Sequence, residues 1–368
     1  MVELQSKVEF LRITKFINFS IRFITIDCGL ISKTAGKFTS LLYIFINVYL
    51  TVNRIFLSME EENILELCTG ICTTIGLGIF FTKTFTICYY EEEIVELFKW
   101  IENFYLDNSE PILTKLKAES LEKTLWILKL FFKYYITFTT LVITYVNFFY
   151  LMNDIQMINL PGVSKTTTVY LQIILYFSYI LLFDIPVLCF GCLGIIFIGI
   201  LKYFNESIAL LENTEEESLD DGFILVLYKL HCEIYEKFCI YENIFSFSVF
   251  FDFFFNTTSI IGVMLIIRLY PYLNIFHVVL ATLVSQLLIY CIFGELIFNE
   301  TQKISLNLYL TKWYDLNREN KHALLLMMVM SSRPFGLKAA GMYNINIIVF
   351  VQIMKLCFSY CAIIYAFL

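Results

Sequence analysis

Residues 244–298 read IFSFSVFFDFFFNTTSIIGVMLIIRLYPYLNIFHVVLATLVSQLLIYCIFGELIF. Two apolar runs, Ile244–Tyr270 and Leu273–Phe298, are separated by little more than Pro271-Tyr272. Each exceeds the ~20 residues with which an α-helix crosses the hydrocarbon core of a bilayer. The pair reads as two membrane helices joined by a tight turn.

Working outward, five more segments meet the same criterion: Phe38–Leu57, Ile64–Tyr89, Leu125–Met152, Val169–Ile200 and Met342–Leu368. The fourth span in chain order, Val169–Ile200, is long enough to tilt, and Pro186 inside it favours a kink. The expected fold class is all-α, a single polytopic membrane domain over residues 1–368 with seven transmembrane helices. Composition agrees. The chain is 59% apolar and 16% charged, with a mean hydropathy of +0.73. A soluble domain is nearer ~45–50% and ~25%. The 38 Phe and 24 Tyr suit both membrane interfaces and apolar ligand pockets.

The basic residues orient the chain. Nineteen of the 26 Lys and Arg fall in segments 1–37, 90–124, 201–243 and 299–341, all on one side of the membrane. The opposite side has one, Lys165. Basic loops stay in the cytoplasm, so the N-terminus is expected inside and the C-terminus outside. That is the reverse of a G-protein-coupled receptor. The outer loops are short, so a ligand must bind within the helices. The inner segments are long enough to hold helical extensions, with 299–341 as a cytosolic anchor region.

Other classes find no support. A net charge of −7 without a basic patch argues against nucleic acid. No HExxH, GxSxG, Walker A or metal-ligand cluster occurs, so no enzyme, cofactor or metal is expected. The eleven cysteines lie mostly inside apolar stretches, as small packing residues do. In the first 35 residues Lys7, Arg12, Lys15 and Arg22 interrupt the apolar pattern, unlike a signal peptide. A partly interfacial helix fits better, with Phe16, Ile17, Phe19, Phe23 and Ile24 as its apolar part.

Ionisable residues inside spans are costly and therefore informative. Asp184 lies mid-span, as a satisfied bundle contact or as part of a hydrated cavity. Lys83, Lys129, Lys133, Arg268 and Glu295 lie nearer span ends, where snorkelling is expected. Lys355 sits near the centre of the last span and is expected to face water or a polar partner. The run Ala323–Met330 is too short to span. As a cytosolic helix apolar on nearly all sides it must be covered, within the chain or between subunits.

The C-terminal residues carry a resemblance. Trp313-Tyr314, Leu324-Leu325-Leu326-Met327-Met328, Ser331-Ser332-Arg333-Pro334, Leu337-Lys338-Ala339-Ala340-Gly341, Phe350, Ile353-Met354-Lys355 and Ser359-Tyr360 together resemble the signature of insect odorant receptors. Upstream, His231-Cys232 before Phe245-Ser246, and Cys28-Gly29-Leu30, are similar to weaker family motifs. The chain departs from the family at Cys357-Phe358-Ser359, where Ser-Tyr-Ser is usual. The related gustatory receptors end in Gln-Phe where this chain has Ala366-Phe367. The olfactory coreceptor has a longer loop where 201–243 stands here.

The resemblance implies a tuning subunit of a ligand-gated nonselective cation channel. It would work with the coreceptor in a heterotetramer, in the plasma membrane of an olfactory dendrite, and bind a small volatile odorant. A gustatory channel is the alternative. The resemblance also makes 342–368 the pore-lining helix and maps a hydrophobic gate onto Ile363 and Phe367. Ser359 lies on the same helical face, and Lys355 is added as a pore residue. The family's pocket depth suggests Thr69, Thr73, Tyr145, Phe149, Tyr170, Phe177, His277 and Val278 as odorant contacts.

Overall fold

The computed structural model describes residues 2–26, 33–61, 63–107, 111–153, 155–160, 162–213 and 222–367. Cys28-Gly29-Leu30 therefore lies outside the described residues. The chain runs through α1 (Val2–Ile24), α2 (Lys33–Glu60), α3 (Ile64–Tyr89), α4 (Glu91–Leu106) and α5 (Pro111–Met152). It continues through α6 (Lys165–Asn213), α7 (Gly222–Leu269), α8 (Asn274–Leu310), α9 (Arg318–Ser331) and α10 (Ile347–Phe367). Seven of these, α2, α3, α5, α6, α7, α8 and α10, are long and apolar enough to cross a membrane. The protein is a multi-pass membrane protein.

α6 forms the axis of the bundle. Every residue from Asp184 to Leu201 is buried. This is what a helix apolar on all sides requires. Close approach depends on small residues: a Cβ at Gly199 would collide with Thr124 of α5. Ser120 of α5 donates to the Gly199 carbonyl at 3.2 Å in the same contact. Gly194 lies instead against Tyr241 of α7 and Phe293 of α8, and Cys189 and Cys192 are fully buried. The Tyr241 hydroxyl donates to the Phe190 carbonyl at 3.1 Å.

The basic segments are largely helical. α5 begins well before Leu125, α6 continues past Ile200 to Asn213, and α7 and α8 likewise exceed their expected spans. With α4 and α9 they build one continuous core. Polar groups lock this end: Asn205 donates to the Glu300 carbonyl at 3.0 Å and accepts from Asn307 at 2.9 Å. α9 is neither wholly covered nor wholly free. Leu324 and Met327 are buried, whereas Leu325 and Val329 are 55% and 62% exposed.

Two elements were not expected. A short antiparallel hairpin, Lys338–Ala339 with Tyr343–Asn344, joins α9 to α10. Its turn holds Ala340 and Gly341 at positive φ (48° and 70°), the conformation a tight hairpin turn of this kind demands. At the other end of the bundle, the 155–160 segment tucks inward. Ile155, Met157 and Ile158 are buried, and Gln172 accepts the Met157 N–H at 2.8 Å. Glu66, paired with Arg54, accepts the Gln156 N–H at 3.3 Å.

Candidate ligand-binding cavity and last helix

A cavity of about 1080 Å³ lies between α5, α6 and α8 and is partly open to the outside of the bundle. Its walls are mainly aromatic and aliphatic, with Phe131, Phe138, Phe190 and Phe293 among them. Polar side chains interrupt them, among them Tyr135, Thr139, Thr282, Ser285, Gln286 and Tyr290, and the charged Glu122, Lys123, Lys202 and Glu206 also line the cavity. A mainly apolar chamber of this size is the usual form of a small-molecule site.

The polar wall is tied to buried charge. Asp184 of α6, 6% exposed, accepts from the Tyr135 hydroxyl and from Thr139 Oγ1, each at 3.2 Å. On the opposite wall, Tyr290 of α8 donates to Asp252 Oδ2 of α7 at 2.7 Å. Lys83 Nζ of α3 approaches that same oxygen at 3.3 Å. Its ammonium lies 5.9 Å from the Tyr290 ring centre. Lys83, Asp252 and Tyr290 thus join α3, α7 and α8 at mid-bundle, and Asp184 ties α6 to α5. Tyr135, Tyr290 and Thr139 spend their hydroxyl protons on these acids or on helix carbonyls.

This geometry changes the reading of Lys83. Snorkelling was expected, yet its side chain is 2% exposed and paired with an acid that is fully buried. Asp252, set within the Phe-rich run FFDFFF, is the reason. The signal was present: an intramembrane lysine and an intramembrane aspartate on different spans are each other's most economical partner. Asp184, by contrast, is both a satisfied contact and a neighbour of the cavity. Lys129 and Lys133 are exposed. Arg268 stacks over the Tyr365 ring at 4.7 Å, and Glu295 accepts the Ile347 N–H at 3.4 Å.

Of the eight odorant contacts proposed from depth, the seven with described side chains do not line this cavity. Thr69 is buried on α3 and bonds its own helix. Thr73 lies 3.8 Å from Met157 Sδ. Phe149 packs against a second hydrophobic cluster that includes Met157. Tyr145, Tyr170 and His277 are exposed and Val278 is half-buried. Phe177 lies on α6 within 176–183, whose side chains are outside the described residues. Depth along a span is legible in sequence, but helical facing is not.

α10 has one buried side chain, Cys357. Its thiol faces the Thr257 carbonyl of α7 at 3.9 Å. Lys355, Ser359, Ile363 and Phe367 follow at four-residue intervals, and all are exposed. At 100° per residue this stripe lies mostly away from Cys357. The start of α10 is anchored to α8, where the Ile345 carbonyl sits against Gly294 so closely that a Cβ would collide with it.

The family model described as 7tm Odorant receptor matches residues 63–358. Two solved structures of the insect olfactory receptor OR5 from Machilis hrabei are similar in fold. One, in complex with eugenol, gives a TM-score of 0.75 at 14% identity, covering 98% of this chain and 100% of that one. The other gives 0.80 at 12% identity, covering 97% and 98%. At such identity the structures speak to fold, while the family model spans most of the sequence. The chain belongs to the 7tm odorant receptor family.

Proposed function

We propose that the protein is the odorant-tuning subunit of a ligand-gated nonselective cation channel, with its N-terminus in the cytosol and a coreceptor completing a heterotetramer. The observation that carries this reading is the bareness of α10, a membrane-length helix whose only buried side chain is Cys357. A helix so little covered by its own chain has faces left for other subunits and for a conducting path. The half-exposed apolar surface of α9 supports assembly at the cytosolic end in the same way. Residues 299–341 then serve as the anchor and 342–368 as the pore segment.

The odorant occupies the α5–α6–α8 cavity, where aromatic walls take its apolar surface and the Gln286 amide orients its polar group. Nearer the outer face, Thr69, Thr73 and Phe149 are proposed contacts around Met157. Binding shifts the channel only if the open arrangement holds the ligand more tightly. Tyr290 touches the cavity and Asp252 together, and α7 carries both Asp252 and the Thr257 carbonyl that faces Cys357. Displacement of α8 against α7 therefore reaches α10, draws Ile363 and Phe367 apart, and lets water enter a constriction closed by dewetting.

The test is whole-cell current from cells expressing this chain with an insect coreceptor, against a broad odorant panel. Odorant-evoked current only when both chains are present supports the tuning role. Robust current from this chain alone would instead favour self-assembly of the gustatory kind. Terminal epitope tags on intact cells decide the orientation: only the C-terminal tag should be accessible.

A further inference from the structure

A second cleft lies between α1 and α5, with a volume of about 510 Å³. Three cations line it: Arg12 from α1, and Lys129 and Lys133 from α5. The two lysines stand four residues apart on one helical face, an arrangement that destabilises a helix through like-charge repulsion. One acid offsets them among the described ion pairs, Glu9, which holds Lys129 at 2.5 Å. The fold gains little from this concentration of charge, because all three cationic side chains are exposed. The remaining wall is apolar apart from Thr137, with Ile13 and Phe16 from α1 and Phe132 and Ile136 from α5.

The surroundings place the cleft at a membrane surface. α1 is two-faced: Phe10, Ile17, Ile21 and Ile24 are buried against the bundle, while Phe16, Phe19 and Phe23 are 53%, 68% and 53% exposed. An exposed row of phenylalanines beside cations is the pattern of a helix lying in the headgroup region. Lys129 and Lys133 sit at the basic end of the α5 span, the end at which the orientation given above places the cytosolic leaflet. That leaflet carries the anionic lipids.

We propose that this cleft binds one anionic phospholipid of the inner leaflet. The phosphate lies among Arg12, Lys129 and Lys133, and an acyl chain follows Phe16, Phe132 and Ile136 into the membrane. Arginine suits the phosphate because its planar fork can donate two parallel hydrogen bonds. The apolar half of the cleft selects a lipid over a soluble phosphate. The assignment of leaflet rests on the proposed orientation; the binding itself does not.

The experiment uses the purified full chain in nanodiscs of phosphatidylcholine with increasing phosphatidylserine, and native mass spectrometry to count the lipids retained. The wild-type chain is expected to retain phosphatidylserine selectively. The double variant Arg12→Gln/Lys133→Gln leaves the Lys129–Glu9 pair intact and should lower that selectivity by roughly tenfold or more. The variant Lys312→Gln/Lys321→Gln removes two charges elsewhere and should leave it unchanged. Equal selectivity in the wild type and the cleft variant would overturn the proposal, as would an equal loss in the distant variant. Competition by soluble glycerophosphoserine at matching concentration would show a headgroup-only site and refute the acyl half. Symmetric discs make the result independent of orientation, so the terminal tags and the lipid count fail separately.

Discussion

Tyr290 and Asp252 are joined by a 2.7 Å hydrogen bond that links the cavity wall to a buried ion pair. The carboxylate oxygen it uses is the one that also faces Lys83. A ligand that moves the Tyr290 ring must therefore act on a charge cluster shared by α3, α7 and α8. Such a cluster is costly to break and tolerant of complete replacement, and this asymmetry makes it testable.

Lys83→Met leaves Asp252 as an uncompensated buried acid and should cost about 3–5 kcal/mol. The double variant Lys83→Met/Asp252→Leu removes both charges and should recover most of that loss. Thermal midpoints of detergent-solubilised protein, followed by size-exclusion chromatography, measure both. Additive losses in the double variant would show that the two residues are not partners.

Gln286→Leu removes an amide from the cavity wall while keeping its bulk. Sensitivity to ketone and ester odorants should fall by about tenfold relative to hydrocarbons of the same shape, as expected when a polar ligand group loses its partner. Dose–response curves for matched pairs, recorded with coreceptor, provide the ratio. An unchanged ratio would place the ligand elsewhere, with the second cluster around Thr73 and Phe149 the next place to look.

Ile363→Ser with Phe367→Ser should raise basal current, because small polar side chains keep a constriction wetted. Both residues are exposed, 52% and 88%, so folding should be nearly unaffected. The check is basal conductance normalised to surface expression. If neither basal nor evoked current changes, these residues are not the gate.

Gly294→Ala drives a methyl group into the Ile345 carbonyl. The hairpin and the start of α10 must shift, at a cost of about 1–3 kcal/mol. Because Glu295 holds the Ile347 N–H in the same place, altered gating should accompany the lost stability. Thermal midpoint and current together test this, and a fully wild-type phenotype would deny the contact.

The number of spans was legible because hydropathy over twenty residues is a strong signal. The burial of Asp184–Leu201 also follows from a stretch apolar on every side. What sequence could not supply was phase. Tyr145, Tyr170 and His277 lie at plausible depths, yet point outward, because one residue's shift turns a helical side chain by 100°. Lys83 was misread for a related reason: its position near a span end suggested escape to the headgroups, and only the neighbouring helix reveals Asp252 opposite. That Ser359, Ile363 and Phe367 share one helical face was readable, because a four-residue interval fixes relative facing without reference to any other helix.

The unbroken length of the central helices carries one more consequence. α5, α6 and α7 contain 42, 49 and 48 residues, or roughly 60–75 Å each at ~1.5 Å per residue. That is about twice the thickness of the hydrocarbon core. Each is a stiff lever whose two arms lie on opposite sides of the mid-bundle charges, with Pro186 close to the fulcrum of α6. A few degrees of rocking at one tip must swing the other by several ångströms. Neither end of such a protein can be remodelled in private.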